Sequence, residues 1–281
     1  MKAVRFLILV VLGLVVFGAI MTFAGSIPTN AHVVVRAGLM AVLGALWWVA
    51  RREGPLQPWR PVLFAMFAVV AGLTVAWYGQ TPITTLLHLG FTPLSSAVAK
   101  AVQAGLVAVT MIVLTLASGE NLASLQLRKG RLLLGLSFGL VGFLIFTGLT
   151  FLPGGPGGLK VASTAGGLAT LMALAPAVAI FIFSNAFMEE LLFRGILIER
   201  YQALVGKWGA LAATTIVFAA AHVQVDYTSQ LLTFLGIVLV LGFLWGLLMQ
   251  KSRSIWGSVL FHAGADVAVI LPLYQAMIAG H

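Results

Sequence analysis

Long uncharged apolar runs alternate along this chain with short stretches of charge and turn residues. The runs cover 6–35, 37–50, 61–99, 101–119, 132–159, 161–188, 208–225, 227–250 and 254–265, and no charge follows Asp266. A helix that crosses a bilayer needs about 20 apolar residues, so these runs predict membrane spans. Turn chemistry subdivides the longest of them. Ser26-Ile27-Pro28-Thr29-Asn30 ends the first helix, and the stretch from Gly79 to Ser96, with Pro82 and Pro93, ends the third. Helices are expected near 4–24, 33–50, 61–79, 97–117, 132–152, 168–203, 208–223, 229–250 and 255–276. The fold class is all-α, a polytopic transmembrane helix bundle of about eight or nine spans.

Composition removes the soluble alternatives. Of 281 residues, 61% are hydrophobic and 8% are charged, whereas a soluble domain carries about 25% charged residues. A water-soluble enzyme, a nucleic-acid binder and a disordered chain are therefore excluded, and the bilayer is the expected surrounding. The net charge of +9 fits basic cytoplasmic loops better than an anionic partner. With the N-terminus inside, Lys2, Arg5, Arg51, Arg52, Arg60, Arg128, Lys129, Arg131, Arg200, Lys207, Lys251 and Arg253 fall on the cytoplasmic side. Only Arg36, Lys100 and Lys160 fall outside, and Arg194 sits in a helix. That asymmetry predicts N-in, C-out, with residues 1–24 kept as an uncleaved first span. The absence of cysteine leaves no disulfide, thiolate metal site or cysteine nucleophile.

The chain divides at Pro153-Gly154-Gly155-Pro156-Gly157-Gly158, read as a flexible loop. Before it, residues 1–150 form a transmembrane region without an acid inside a helix and without a motif. Gly135/Gly139 and Gly242/Gly246 are small-xxx-small pairs that suit helix packing. Most polar oddities follow the loop. Glu53 and Glu120 read as solvated loop acids, Glu199 beside Arg200 as interfacial, and Asp226 as an outer-rim acid. His32, His88 and His281 fall in loops or at the terminus. Glu189, Glu190 and Asp266 remain inside apolar helical sequence, where an ionised side chain costs about 2.5–3.5 kcal/mol and normally faces the protein interior.

Arg194 lies four residues after Glu190, one helical turn on, and is the expected partner of that acid. Glu189 then points about 100° away, toward other helices. A plain ion pair between helices would not need the second acid. His222 closes Phe218-Ala-Ala-Ala-His222, and His262 precedes Asp266 by four residues on one helix face. A carboxylate and two imidazoles on separate spans can activate water directly as a general base, or through a Zn²⁺ ion held by Glu189, His222 and His262. Such a site requires the three side chains to converge within about 10 Å. No Gly-x-Ser-x-Gly elbow, P-loop or dinucleotide fingerprint is present.

Glu189-Glu190-x-x-x-Arg194, Phe218-x-x-x-His222 and His262-x-x-x-Asp266 resemble the ordered motifs of the CPBP family of intramembrane proteases, which includes CAAX prenyl endopeptidases and bacteriocin-processing proteins. The resemblance implies a protease core over residues 165–276. It makes Glu189 the acid/base that activates water, and Glu190 the residue that holds Arg194. His222 and His262 become further catalytic or metal-binding groups, with Asp266 completing the last motif. Prenyl endopeptidases of the family usually carry Asn at that last position. The Asp found here favours a metal or a His-orienting carboxylate over an amide oxyanion donor. The implied substrate is a hydrophobic or lipid-anchored peptide, and the implied location is the bacterial cytoplasmic membrane. Two other readings use the same residues: a non-catalytic scaffold or immunity protein of this type, and a proton-coupled transporter with Glu189 and His222 as a relay.

Overall fold

The computed structural model describes residues 1–152, 166–225 and 228–279. Its regular structure is helical, with no strand among the described residues. The helices are α1 (Lys2–Phe17), α2 (Thr29–Val49), α3 (Arg60–Leu86), α4 (Pro93–Ala117), α5 (Leu132–Thr150), α6 (Gly167–Glu190), α7 (Ile198–Ala220), α8 (Leu231–Ser252) and α9 (Trp256–Ala279). Nine helical segments among the described residues are long and apolar enough to cross a membrane, and the chain is an integral membrane protein. The readings of the Pro153–Gly158 loop, Lys160, Asp226 and His281 fall outside the described residues.

Two boundaries differ from the sequence expectation. The third helix was expected to stop at Gly79, yet α3 runs through Pro82 to Leu86. Proline costs a helix interior about 3 kcal/mol in water, but in hydrocarbon a broken helix exposes further backbone groups with no water to satisfy them. Pro93 opens α4 at the first helical position, where its missing N–H is harmless. The helix expected over 168–203 is broken after Glu190. Leu191–Gly195 forms a π-turn, and α7 then starts at Ile198. Inside α7, Gly206 takes φ +79° and ψ 172°, a conformation open to glycine, so Ile198–Val205 is a separate short helix from the rest.

The chain forms two compact units. The first comprises Met1–Val75, Val107–Arg128 and Leu191–Leu247. In it α1 packs on α7. A Cβ on Gly13 would stand 2.5 Å from a methyl of Val217, Phe17 stacks on Phe193 with ring centres 4.3 Å apart, and the Tyr201 hydroxyl donates to Leu9 O at 3.4 Å. Gly246 likewise admits Leu211, whose Cδ1 would lie 2.5 Å from an added Cβ. Arg36 and His32, read as an outer charge and a loop residue, are instead buried on α2. Arg36 donates to Ile20 O at 2.9 Å and to Leu73 O at 3.3 Å, giving its charge carbonyl partners.

Glu120 is not a merely solvated loop acid. It accepts from the buried Arg200 guanidinium, which also donates to Ile196 O at 2.8 Å and Ser124 O at 3.0 Å. Arg128 pairs with Glu199 at 2.7 Å on the exposed side. Glu120→Gln leaves the buried cation without its carboxylate. The Glu120 side chain is 36% exposed, so the loss should be about 1–2 kcal/mol rather than the ~3–5 kcal/mol of a fully buried pair. A fall of a few degrees in the melting temperature of the detergent-solubilised protein is the expected result.

The second unit comprises Ala76–Leu106, Lys129–Glu190 and Leu248–His281. Its core is α9 against α5 and α6. The α5–α9 contact is made backbone to backbone by small residues. An added Cβ would meet Gly257 O at 2.4 Å from Gly139, the Phe261 ring at 2.4 Å from Gly142, and Phe143 Cα at 2.4 Å from Gly264. Gly135 lies against Ser252 and Gly257. The small-xxx-small pairs are thus packing devices, as their spacing implies.

Candidate active site

Within the second unit, α6 and α9 run antiparallel with polar residues on their facing sides. Phe181, Asn185 and Glu189 recur at four-residue intervals on α6, as do His262, Asp266 and Tyr274 at multiples of four on α9. The contacts run in opposite order along the two helices. Glu189 meets His262, Asn185 meets Asp266, and Phe181 meets Tyr274 edge-on with ring centres 6.1 Å apart.

The imidazole of His262 is the centre of the cluster. Its Nδ1 lies 3.0 Å from Glu190 Oε1 and its Nε2 lies 3.6 Å from Glu189 Oε2. Asp266 Oδ1 lies 3.5 Å from the same Nε2. Nδ1–H donates to the Glu190 carboxylate, which fixes the ring orientation and turns Nε2 toward the other two acids. Adjacent glutamates on one helix therefore reach opposite nitrogens of one ring. His262, Glu189 and Glu190 are all buried, so their interactions act in a medium of low dielectric.

Asn185 was not singled out from sequence. Its Nδ2 donates to Asp266 Oδ2 at 3.0 Å, leaving Oδ1 to face His262. The signal was available: an amide inside an apolar run, four residues before Glu189. Lys100, counted from sequence among the outer charges, lies within α4 with its ammonium 5.4 Å from the centre of the Phe181 ring.

Arg194 and His222 belong to the first unit. Arg194 is buried in the π-turn that follows Glu190. Its Nη2 donates to Gly242 O at 3.0 Å, and its guanidinium lies over Phe218 at 4.1 Å and Trp245 at 5.5 Å. A Cβ at Gly242 would stand 2.9 Å from that nitrogen. His222 stands in the turn just past α7, its ring 4.7 Å from Phe218. Its Nδ1 donates to Phe218 O at 2.8 Å.

Among the described residues, no group of three His, Asp or Glu side chains is disposed to hold a metal ion. In the cluster around His262, Nδ1 donates to Glu190, which leaves Nε2 facing Glu189 and Asp266.

A family model described as Rce1-like, type II CAAX prenyl endopeptidase Rce1-like, matches residues 170–268. No curated protein and no solved structure matches the chain. The matched stretch contains Glu189, Glu190, Arg194, His222, His262 and Asp266 together with Asn185. Residues 170–268, which carry both the motifs and the carboxylate–imidazole cluster of this integral membrane protein, are thus similar to the CPBP/CAAX proteases.

Proposed function

We propose that the protein is an intramembrane endopeptidase that hydrolyses peptide bonds in membrane-anchored or hydrophobic substrates, with prenylated CAAX-type termini as the leading class. The observation that carries this reading is the set of three acids, Glu189, Glu190 and Asp266, around a single buried imidazole, His262. Structural ion pairs do not require three acids for one base. A general base beside an imidazole that further carboxylates hold in place accounts for all three.

In the proposed reaction Glu189 takes a proton from water while the water oxygen bonds to the scissile carbonyl carbon. The tetrahedral oxyanion forms, and the C–N bond then breaks as the proton passes to the amine nitrogen. His262 Nε2, 3.6 Å from Glu189, relays or holds that proton. Glu190 and the Asn185–Asp266 pair are positioning groups that keep the ring in place. The resemblance assigns His222 a further catalytic role and Arg194 a structuring one. With the N-terminus inside, as the basic residues suggest, the protein would lie in a bacterial cytoplasmic membrane.

The test is cleavage of prenylated and unmodified hydrophobic peptides, followed by mass spectrometry, using wild type and Glu189→Ala in detergent. Cleavage by wild type alone is the expected result. Because the proposed steps need only side chains and water, 1,10-phenanthroline is expected to leave the rate within about two-fold, against the 10²-fold or greater loss that removing a catalytic metal would bring. A chelator-sensitive rate restored by Zn²⁺ would replace the side-chain mechanism with a metal one. Cleavage that survives Glu189→Ala would move the site elsewhere.

A further inference from the structure

We propose that Lys100 is a specificity-determining residue that binds the free C-terminal carboxylate of the peptide substrate. The assignment rests on the endopeptidase reading above and extends it to a residue outside the stretch matched by the family model.

A lysine inside an apolar span is costly and is normally there for a charge it must meet. Among the described residues of this unit, the other basic side chains, Lys129, Arg131, Lys251 and Arg253, lie at or beyond the ends of α5 and α8. Lys100 is the eighth residue of α4, well inside the helix. Its ammonium sits over the Phe181 ring at 5.4 Å. Glu189 and Asp266 are within electrostatic range. Neither comes within the 4.0 Å of an ion pair with Lys100. Asp266 is already engaged by Asn185 and His262. The ammonium thus lies over an aromatic ring beside the acidic cluster, a place from which it can meet an incoming anion.

The spacing agrees with the chemistry. Phe181, the platform under Lys100, precedes Glu189 by eight residues on α6, about 12 Å at 1.5 Å per residue. A CAAX-type terminus presents a modified cysteine, three residues and a carboxylate. Those three residues span about 10 Å when extended. A terminus anchored at Lys100 therefore brings the bond after the cysteine to the level of Glu189.

The test is binding, not turnover. A dye-labelled prenylated peptide ending in a free carboxylate is compared with the same peptide as a C-terminal amide, by fluorescence anisotropy, in detergent. Wild type should bind the acid about 10-fold or more tightly than the amide, the size of one charge-assisted contact. Lys100→Met should bind both at the amide's affinity, and Lys100→Arg should keep the preference. The amide is an internal control, because a loss of fold would weaken it as well. If Lys100→Met proves unstable, Lys100→Gln makes the same comparison. Equal affinities in wild type, no binding of either peptide, or a preference that survives Lys100→Met would overturn the assignment. Binding does not depend on hydrolysis, so a protein that shows the preference but cleaves nothing would sink the endopeptidase reading alone.

Discussion

Glu189→Gln should lower kcat for peptide cleavage by about 10²–10⁴-fold while leaving KM within about three-fold, because a positioned general base contributes roughly that much to rate and little to binding. The amide matches the carboxylate in shape, so packing between α6 and α9 is kept, but it cannot accept a proton from water. His262 Nε2, 3.6 Å away, also loses a negative neighbour and keeps Asp266 at 3.5 Å. The measurement is initial rate against peptide concentration, read by mass spectrometry, on protein whose elution in size exclusion matches wild type. A kcat within ten-fold of wild type would remove Glu189 from the base role. Glu190→Gln is the informative companion. That residue holds Nδ1 of the ring and takes no proton from water in the proposed steps, so it should cost less than Glu189→Gln.

Gly264→Ala should damage both stability and activity through a single methyl group. The new Cβ would come 2.4 Å from Phe143 Cα and 2.7 Å from Phe143 O. Backbone cannot swing aside as the end of a side chain can, so α9 has to move away from α5. Overpacking of this kind costs about 1–3 kcal/mol or more. Gly264 lies two residues from both His262 and Asp266, so the displacement reaches the imidazole directly. The expected result is a melting temperature several degrees lower in detergent, together with at least a ten-fold loss of kcat. Gly148→Ala is the matched control on α5. An added Cβ there meets nothing within 4 Å, so stability and rate should stay as in wild type. Equal behaviour of the two variants would show that the α5–α9 contact is softer than its geometry states.

Much of the architecture could be read from sequence because hydrocarbon imposes one rule. A run long enough to cross must be helical, and charge marks where it ends. Gly135, Gly139, Gly242 and Gly246 announced close packing for a similar reason, since only small residues let helices approach. The break at Leu191–Gly195 was hidden, because Leu-Leu-Phe-Arg-Gly carries no proline and reads as one continuous apolar face. Pro82 misled in the other direction, since a proline that ends helices in water is tolerated in a span. The acids and histidines of the cluster stood out as expensive residues in cheap surroundings. Their pairing did not: nothing in the spacing says that Glu190 takes Nδ1 of His262. Asn185 was passed over, and Lys100 and Arg36 were counted as outer charges, because the partner of a single polar residue in an apolar run often lies far away in sequence.

The opposed order of contacts along α6 and α9 constrains how this protein can change over evolutionary time. Each pairing depends on two helices keeping phase over several turns. One residue inserted between Phe181 and Glu189, or between His262 and Tyr274, turns everything beyond it by about 100°. Asn185, Glu189 or Asp266 would then face lipid or a neighbouring helix. Segment length in these two stretches is therefore inherited as a fixed quantity. Drift must proceed by exchange of one side chain for another, with gains and losses of residues confined to the connecting turns.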